Sequence, residues 1–173
     1  LMNWPACEQG GLCIGLSLSG LGQSQTLRKA MAIEVDGRSV FGAVQATWNL
    51  LEPSAGAALQ EAHDAGLGVI VKEALANGRL TTRNEEPAFL AKRRILGEVA
   101  GELEVGTDAL ALAAVLAQPW ASLVLSGAAN ADQLKSNLAA FCVNWDDEIA
   151  DRLRPLAESP AGYWATRSGL AWN

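Results

Sequence analysis

The sequence has few of the residues from which metal sites and disulfide frameworks are built. It contains one histidine, His63, and three cysteines, Cys7, Cys13 and Cys142. No two of these cysteines have Cys-X-X-Cys spacing, and an odd number cannot all pair within one chain. We therefore expect neither a metal site nor a disulfide framework. The pattern is typical of a reducing compartment, which predicts a cytoplasmic protein.

Positive charge is also scarce. The chain contains thirteen lysines and arginines but nineteen aspartates and glutamates, so the formal net charge is −6 at pH 7. The longest basic run, Lys92-Arg93-Arg94, falls in a helical pattern and is interpreted as a solvated helix face. A nucleic-acid surface needs a basic patch or stripe, so we expect no nucleic-acid partner.

An uninterrupted apolar run is lacking as well. Residues 109–131 carry no charge, which is long enough to span a bilayer in principle. Pro119 divides the segment, however, and Ser122 and Asn130 follow. A buried helix that turns into a buried strand explains it better than a membrane span. Residues 1–11 also lack the basic start and apolar run of a secretory signal.

What is present is a chain of 173 residues, half of them hydrophobic, which predicts one globular domain over residues 1–173. Strands are predicted at 12–19, 40–50, 68–71 and 123–125. Helices are predicted from an N-cap at Ser24, over 53–65, 88–103, 107–118 and 146–157, and directly after the last strand. Asp36-Gly37 predicts a turn. Residues 159–173 are interpreted as a terminal arm whose aromatic side chains, Tyr163, Trp164 and Trp172, pack onto the body.

The alternation of strands and helices predicts an α/β fold with a parallel sheet and right-handed crossovers. The sheet could be a small doubly wound sheet or part of a (β/α)8 barrel. In both, ligands collect at the carboxyl ends of the strands. Ser17, Gln45, Lys72 and the loop at Ser126 all fall at such ends, which predicts a binding site there.

Residues 121–140, ASLVLSGAANADQLKSNLAA, predict a strand, a loop of small residues and a helix capped by Asp132 or Asn130. Strand–loop–helix junctions of this kind bind anions, because unsatisfied N–H groups and the helix dipole face the ligand. The small side chains of Ser126-Gly127-Ala128 leave the backbone accessible. An ordinary βα junction with small residues for close packing remains an equal alternative from this pattern alone.

Several segments carry a family resemblance in their order and spacing: GLCIGLSLS, VQATWNLLEPSAG, AHDAGLGVIVKEALANGRL, SGAANADQLKSNLAA and the closing YWATRSGLAWN. Together they resemble the C-terminal half of an aldo/keto reductase. The resemblance implies four strands with flanking helices, corresponding to about strands 5 to 8 of a (β/α)8, TIM-type barrel, and hence a half-barrel. It also implies binding of NADPH, or NADH, at the carboxyl ends of the strands.

The resemblance assigns roles to individual residues. Ser17 and Gln45 would bind the nicotinamide carboxamide from its two sides, and Lys72 would lie beside the nicotinamide ring. The remaining cofactor-binding positions are those of the pyrophosphate loop, the loop after the last strand and the adenine end: Leu75, Asn77, Gly78, Ser126, Gly127, Ala128, Gln133 and Asn137.

Two positions depart from the family pattern. Lys72 stands where the family usually stacks an aromatic ring on the nicotinamide, and its charge would oppose the oxidised ring. Ala129 stands where a basic residue often meets the 2′-phosphate, although Lys135 could substitute. The choice between NADP and NAD is therefore open.

The family's catalytic Asp, Tyr, Lys and His belong to the first half of the barrel, which this chain is expected not to contain. We predict no catalytic residue here, because a hydride acceptor needs a positioned proton donor. His63 is interpreted as a solvent-facing helical residue. The isolated chain is therefore expected to be an inactive, truncated oxidoreductase. The sequence does not identify its substrate.

A half-barrel would leave two open sheet edges and an exposed inner face. A second copy, a separate chain supplying the missing half, or a repacked open sheet could each solve this problem. Two alternatives to the oxidoreductase remain. One is a non-catalytic half-barrel that oligomerises without a cofactor. The other is a doubly wound nucleotide module, supported only by Gly20-Leu21-Gly22, in which Gln25 replaces the third glycine of the fingerprint.

Overall fold

Residues 12–170 are described by the computed structural model of this chain, and they alternate between strands and helices. The strands are β1 (Gly15–Ser17), β2 (Glu34–Val35), β3 (Arg38–Ser39), β4 (Ala43–Thr47), β5 (Gly68–Lys72) and β6 (Leu123–Val124). The helices are α1 (Gln23–Met31), α2 (Gly56–Asp64), α3 (Leu90–Glu102), α4 (Thr107–Leu116), α5 (Ala131–Leu138), α6 (Asp147–Leu153) and α7 (Pro160–Ser168). The predictions for residues 1–11, Cys7 included, and for Trp172 lie outside the described range.

The main sheet has four parallel strands in the order β1-β4-β5-β6. Each crossover leads to the next strand in the sheet, as in a (β/α)8 barrel. A doubly wound sheet instead reverses its order at a switch point. The α/β fold with parallel strands and flanking helices is therefore confirmed, and the doubly wound alternative does not fit the strand order.

One face of this sheet carries the larger part of the core. Side chains of β4 and β5 on that face, including Val44, Ala46, Val69 and Val71, are fully buried. They share one cluster with buried side chains from α1, α2 and α4. Successive side chains of a strand point to opposite faces, so the helices cover one side of the sheet.

The other face is more open. Ser17, Leu123 and Leu125 are exposed there, and Gln45 and Lys72 are half-buried. Polar and apolar residues alternate along residues 40–50, and this alternation separates a helix-covered face from an open one. The regular strand is shorter than predicted, since it ends at Thr47.

The structure corrects the predicted start of α1. Ser24 lies inside the first turn and is not the N-cap; Gly22 precedes the helix and no side chain caps it. The reason is Gln23, a buried residue whose side-chain amide pairs with the backbone of Thr47. Gln23 Nε2 donates to the Thr47 carbonyl over 3.0 Å, and Thr47 N donates to Gln23 Oε1 over 3.2 Å. This pairing requires Gln23 in the first turn.

The Asp36-Gly37 turn belongs to a hairpin that the sequence analysis did not predict. Strands β2 and β3 pair antiparallel on either side of it. Both turn residues have positive φ, 51° at Asp36 and 69° at Gly37, as two-residue hairpin turns require. The strands are two residues each and fully exposed, so no hydrophobic alternation marks them.

The uncharged segment forms the predicted buried helix, but the strand that follows is not buried, since Leu123 is exposed and Val124 is half-buried in β6. Helix α4 is buried from Ala109 through Val115, since it lies between the two hydrophobic clusters and contributes to both. The chain then turns through Pro119 into β6. Within residues 12–170, no helix combines the length and the apolar character needed to cross a membrane.

The arm from Ser159 onward forms α7, capped by the Ser159 side chain. The predicted packing of its aromatics is confirmed for Tyr163, which is 1% exposed, and for Trp164, which packs against the same cluster. Their rings meet edge to face at 5.3 Å. Helix α7 is therefore part of the body of the fold.

Candidate functional site

Three of the predicted site residues come together on neighbouring strands: Ser17 and Lys72 end β1 and β5, whereas Gln45 lies two residues before the end of β4. Ser17 of β1 pairs in register with Gln45 of β4, and Lys72 ends β5 beside them. Ser17 Oγ donates to Gln45 Oε1 over 2.8 Å. Lys72 Nζ donates to Ser17 Oγ over 3.2 Å and to Ser19 Oγ over 2.8 Å. The four side chains form one hydrogen-bonded cluster, called the strand-end cluster below.

This cluster suits a polar ligand group that both donates and accepts hydrogen bonds. Serine hydroxyls and a glutamine amide can each do both, whereas the lysine only donates. A primary carboxamide both donates and accepts hydrogen bonds, so it is a suitable ligand group. It would replace some of the hydrogen bonds that the four side chains make with one another. Lys72 also brings a positive charge into the site.

The loop after β5 has an unusual backbone. Glu73, Ala76 and Asn77 have φ of 56°, 49° and 55°, and Gly78 has φ of 87°. Each non-glycine residue in the left-handed region costs roughly 1–2 kcal/mol. Residues held in this way cluster at ligand sites, where the surrounding structure maintains them. Leu75 anchors the loop by packing against both hydrophobic clusters.

The loop after β6 also fits the approach of a ligand. Gly127 has φ of 66°, and a Cβ added there would meet nothing within 4 Å. Ser126 Oγ accepts a hydrogen bond from Ala128 N over 3.3 Å. A phosphate group could therefore approach this backbone without meeting a side chain at Gly127.

The helix that follows is not bare, which corrects the expectation of an open N-terminus. Asn130, rather than Asp132, caps α5, since Asn130 Oδ1 accepts from Gln133 N over 2.9 Å. Gln133 Oε1 in turn accepts from Ala129 N over 2.8 Å. Asn137, which is 6% exposed, donates from Nδ2 to the Ser126 carbonyl over 3.3 Å. In this structure Gln133 and Asn137 therefore shape the loop.

Sequence reasoning missed a second polar network beside the strand ends. Asn49 Nδ2 donates to the Glu73 carbonyl over 2.9 Å and to Tyr163 Oη over 3.0 Å. Its Oδ1 accepts from the backbone N–H groups of Leu51 and Glu52. The local sequence offers one signal, which is that Asn49 continues the alternation of polar and apolar residues along residues 40–50. Its partners lie far along the chain, so no local pattern could identify them.

The same network includes an ion pair. Arg167 donates from Nη2 and Nε to Glu73 Oε1 over 2.8 and 3.0 Å. The hydrogen bonds that Arg167 donates to Glu73 raise the pKa of Arg167, which keeps the guanidinium charged. Burial raises the pKa of Tyr163 to about 12, although the hydrogen bond from Asn49 opposes the shift. Tyr163 is therefore a neutral, structurally engaged phenol.

Comparison with known families identifies the family of the chain. The model of the aldo/keto reductase family matches residues 7–158. The chain belongs to the aldo/keto reductase family. The match covers the strand-end cluster, both loops and α5, so the candidate site lies on family elements.

Among solved structures, the chain is similar to the thermostable aldo-keto reductase Tm1743 in complex with the inhibitor epalrestat. The sequences are 20% identical and the TM-score is 0.63, over 83% of this chain and 48% of that chain. At this identity the likeness establishes the fold alone. The chain spans about half the length of that reductase. No curated protein matches the chain.

Aldo/keto reductases in general bind NAD(P)H, and the residues present here fit such a cofactor in two respects. The strand-end cluster offers hydrogen-bonding partners for a carboxamide. Gly78 and Gly127 have left-handed backbones, and a Cβ at Gly78 would meet only the far end of the Arg83 side chain, at 3.9 Å. Both loops can therefore admit the phosphates of a dinucleotide.

Proposed function

We propose that this chain is the cofactor-binding portion of an aldo/keto reductase-type oxidoreductase, which takes NADPH or NADH at the carboxyl ends of its parallel strands. One observation carries the proposal. Ser17, Gln45 and Lys72 come from three different strands and meet within hydrogen-bonding distance. Two glycine-containing loops, after β5 and β6, follow the same sheet edge.

In this proposal Ser17 and Gln45 bind the nicotinamide carboxamide. Asn77 and Gly78 lie along the pyrophosphate, on a loop that Leu75 anchors. Ser126, Gly127 and Ala128 lie toward the adenosine. Gln133 and Asn137 contribute to the adenosine end through the loop that they shape.

The proposal covers NADP and NAD alike. Ala129 supplies no cation for a 2′-phosphate, and the exposed Lys135 lies in the last turn of α5, away from its N-terminus. Parallel titrations with the two reduced cofactors would decide the preference. Because no cation is placed to contact the 2′-phosphate, we expect NADPH to bind little more tightly than NADH.

We also propose that the chain does not turn over substrate by itself. Proton transfer needs a donor within hydrogen-bond reach of the reacting group, with a pKa near the operating pH. His63 is exposed on α2, on the helix-covered side of the sheet. Tyr163 is buried, with a pKa near 12 and a hydrogen bond to Asn49. Neither is available for that role.

The chemistry would then require a partner that completes the barrel. We propose that the four strands are one half of a (β/α)8 barrel and that a second copy, or a chain carrying the other half, covers the open side. Strands β1 and β6 are the two edges of the main sheet. Exposed apolar side chains flank both edge strands along the chain: Leu12, Ile14 and Leu21 around β1, and Leu123, Leu125, Leu134, Leu138 and Phe141 in and after β6.

A second candidate function is a non-catalytic half-barrel that oligomerises without a cofactor. The closed hydrogen bonding of the strand-end cluster favours it, because Ser17, Gln45, Lys72 and Ser19 satisfy one another. A partner bound over the strand-end cluster would occupy the space that a dinucleotide needs. The small number of cysteines in the sequence supports a cytoplasmic location under either function.

Cofactor binding is tested by quenching of tryptophan fluorescence with NADPH. We expect saturable quenching that weakens in Ser17→Ala and Gln45→Ala, while the control variant Gln60→Ala on α2, on the helix-covered side of the sheet, behaves as wild type. Absence of binding at millimolar NADPH would refute the oxidoreductase proposal. Size-exclusion with light scattering, with and without NADPH, would then report whether the chain associates regardless.

Inactivity is tested separately, by assaying reduction of a generic aldehyde with NADPH. We expect no turnover by the isolated chain, even at saturating cofactor. Measurable turnover that disappears in Lys72→Met would contradict the claim that the chemistry needs another chain.

A further inference from the structure

The loop of residues 73–78 is the least relaxed backbone in the described chain, and a distant segment holds it. Glu73, Ala76 and Asn77 occupy the left-handed region. Local hydrogen bonds close the loop: Ala76 N donates to the Glu73 carbonyl over 2.8 Å, and Gly78 N to the Leu75 carbonyl over 3.0 Å. These bonds set the turn but not its position on the sheet.

The position is set at Glu73, the first residue after β5. Arg167 of α7 donates two hydrogen bonds to its carboxylate, and Thr47 Oγ1 lies 3.4 Å from the other carboxylate oxygen. The side chains of Arg167 and Glu73 are only 16% and 14% exposed. Charge-assisted bonds in such a setting are stronger than surface pairs.

A second contact reaches the backbone of the same residue. Asn49 Nδ2 bonds both the Glu73 carbonyl and the Tyr163 hydroxyl, so α7 supports Glu73 through its carboxylate and through its carbonyl. One turn of α7 separates Tyr163 from Arg167, so the two contacts come from the same face of the helix.

The far side of the loop is tied to the same segment. Arg79 follows Gly78 directly, and its guanidinium makes two bonds to the carboxylate of Glu158, over 2.7 and 3.0 Å. The guanidinium also lies 5.7 Å from the centre of the Tyr163 ring. Both ends of the loop are therefore fastened to residues 158–167.

We infer that residues 158–167 hold the candidate cofactor loop in its binding conformation, and that Arg167 is the principal positioning residue. Arg167 acts through Glu73 and does not itself contact the cofactor. This inference rests on the proposed function, since it assigns the loop to the cofactor. It adds that cofactor affinity depends on a helix outside the parallel sheet.

The test compares Arg167→Gln and Arg167→Lys with a matched control, Arg152→Gln. Arg152 also donates two hydrogen bonds to a carboxylate, that of Glu102, but it joins α6 to α3 and is more exposed. In the full chain we expect Arg167→Gln to weaken NADPH binding about tenfold, the equivalent of one buried charged hydrogen bond. Arg167→Lys should retain part of the affinity, and Arg152→Gln should retain all of it.

Hydrogen exchange of the amides of residues 76–80 supplies a readout independent of cofactor. Exchange there should accelerate in Arg167→Gln without cofactor and stay unchanged in Arg152→Gln, while circular dichroism confirms that both variants are folded. Unchanged exchange, or faster exchange with wild-type NADPH affinity, would overturn the inference. Failure of the wild-type chain to bind NADPH is a different outcome, which removes the proposed function and the cofactor role of the loop with it.

Discussion

Lys72 Nζ donates a hydrogen bond to Ser17 Oγ over 3.2 Å, although strand β4 lies between the strands that carry these two residues. The lysine side chain thus reaches across the end of the sheet and continues to Ser19. A positive charge consequently lies at the centre of the candidate nicotinamide site. That placement has a direct consequence for the redox state of the cofactor that the site prefers.

Replacing this charge should favour the oxidised cofactor. Two unit charges about 4 Å apart interact by about 4 kcal/mol at an effective dielectric of 20, and solvent at a half-buried site reduces this to on the order of 1 kcal/mol. We expect Lys72→Met to bind NADP⁺ about fivefold more tightly than wild type. The affinity for NADPH should change less, because the reduced ring is neutral. Fluorescence titration with both cofactors measures the ratio.

Salt provides the internal control for this prediction. The difference between Lys72→Met and wild type in NADP⁺ affinity should shrink at high ionic strength, whereas Lys29→Met on the exposed face of α1 should match wild type throughout. Equal changes in NADP⁺ and NADPH affinity would mean that Lys72 acts through packing and not through charge.

Asn49 should be among the most stabilising polar residues of the fold. It is fully buried and makes four hydrogen bonds, two of them to backbone N–H groups. Asn49→Ala would leave the buried N–H of Leu51 without its partner and would remove the bonds to Glu73 and Tyr163, so we expect the free energy of unfolding to fall by about 3 kcal/mol. Glu52 N keeps its bond to the backbone carbonyl of residue 49. Urea denaturation measures the change. Gln60→Ala, which removes an exposed side-chain bond to Asp64, should change stability by less than about 0.5 kcal/mol.

The exposed apolar side chains near β6 should govern association. Phe141 is 73% exposed, and burial of such a side chain is worth about 1.5–3 kcal/mol. We expect Phe141→Ser to weaken self-association about tenfold or more without lowering monomer stability. Light scattering across a concentration series measures it. Leu90→Ser, an exposed position on α3, is the matched control, and equal effects of the two variants would argue against an interface at β6.

The buried carboxylate of Glu52 predicts a pH dependence of stability. Burial raises the pKa of Glu52 above its ordinary value of 4.5, against the hydrogen bond from Ser54. Because the folded chain holds this proton more tightly than the unfolded chain, Glu52 contributes stability below pH 4.5 that is lost as pH rises through the folded pKa. Glu52→Gln should therefore be more stable than wild type at pH 7, with the difference vanishing at acidic pH.

Glu158 is the control for this prediction, because its pKa is shifted in the opposite direction. Burial alone would raise the pKa of Glu158, but the hydrogen bonds from Arg79 and Lys92 lower it. Its contribution is therefore present above the ordinary pKa and is lost as pH falls through the folded pKa. Glu158→Gln should be less stable than wild type at pH 7. If both variants shift stability in the same direction at pH 7, these assignments are wrong.

The sequence by itself determined the order of strands and helices, the buried α4 and the small-residue loop before α5. It could do so because these features are local: periodicity, glycine and proline, and a cap one turn away. It also placed Ser17 and Lys72 at strand ends, since the carboxyl ends of parallel strands meet at one edge, whereas Gln45 lies two residues before the end of its strand. The extent of single strands and the hairpin at Asp36-Gly37 were beyond it, because exposed two-residue strands carry no hydrophobic pattern.

Only the tertiary structure decided which polar residues touch. Gln23 begins α1 because it pairs with Thr47, and Asn49 bonds Tyr163 across 114 positions of the chain. The left-handed backbone at Glu73 is held by Arg167, a residue whose local sequence gives no sign of that role. Hydrogen bonds and ion pairs depend on atoms within about 3 Å. Separation along the chain says nothing about such distances until the helices have packed on the sheet.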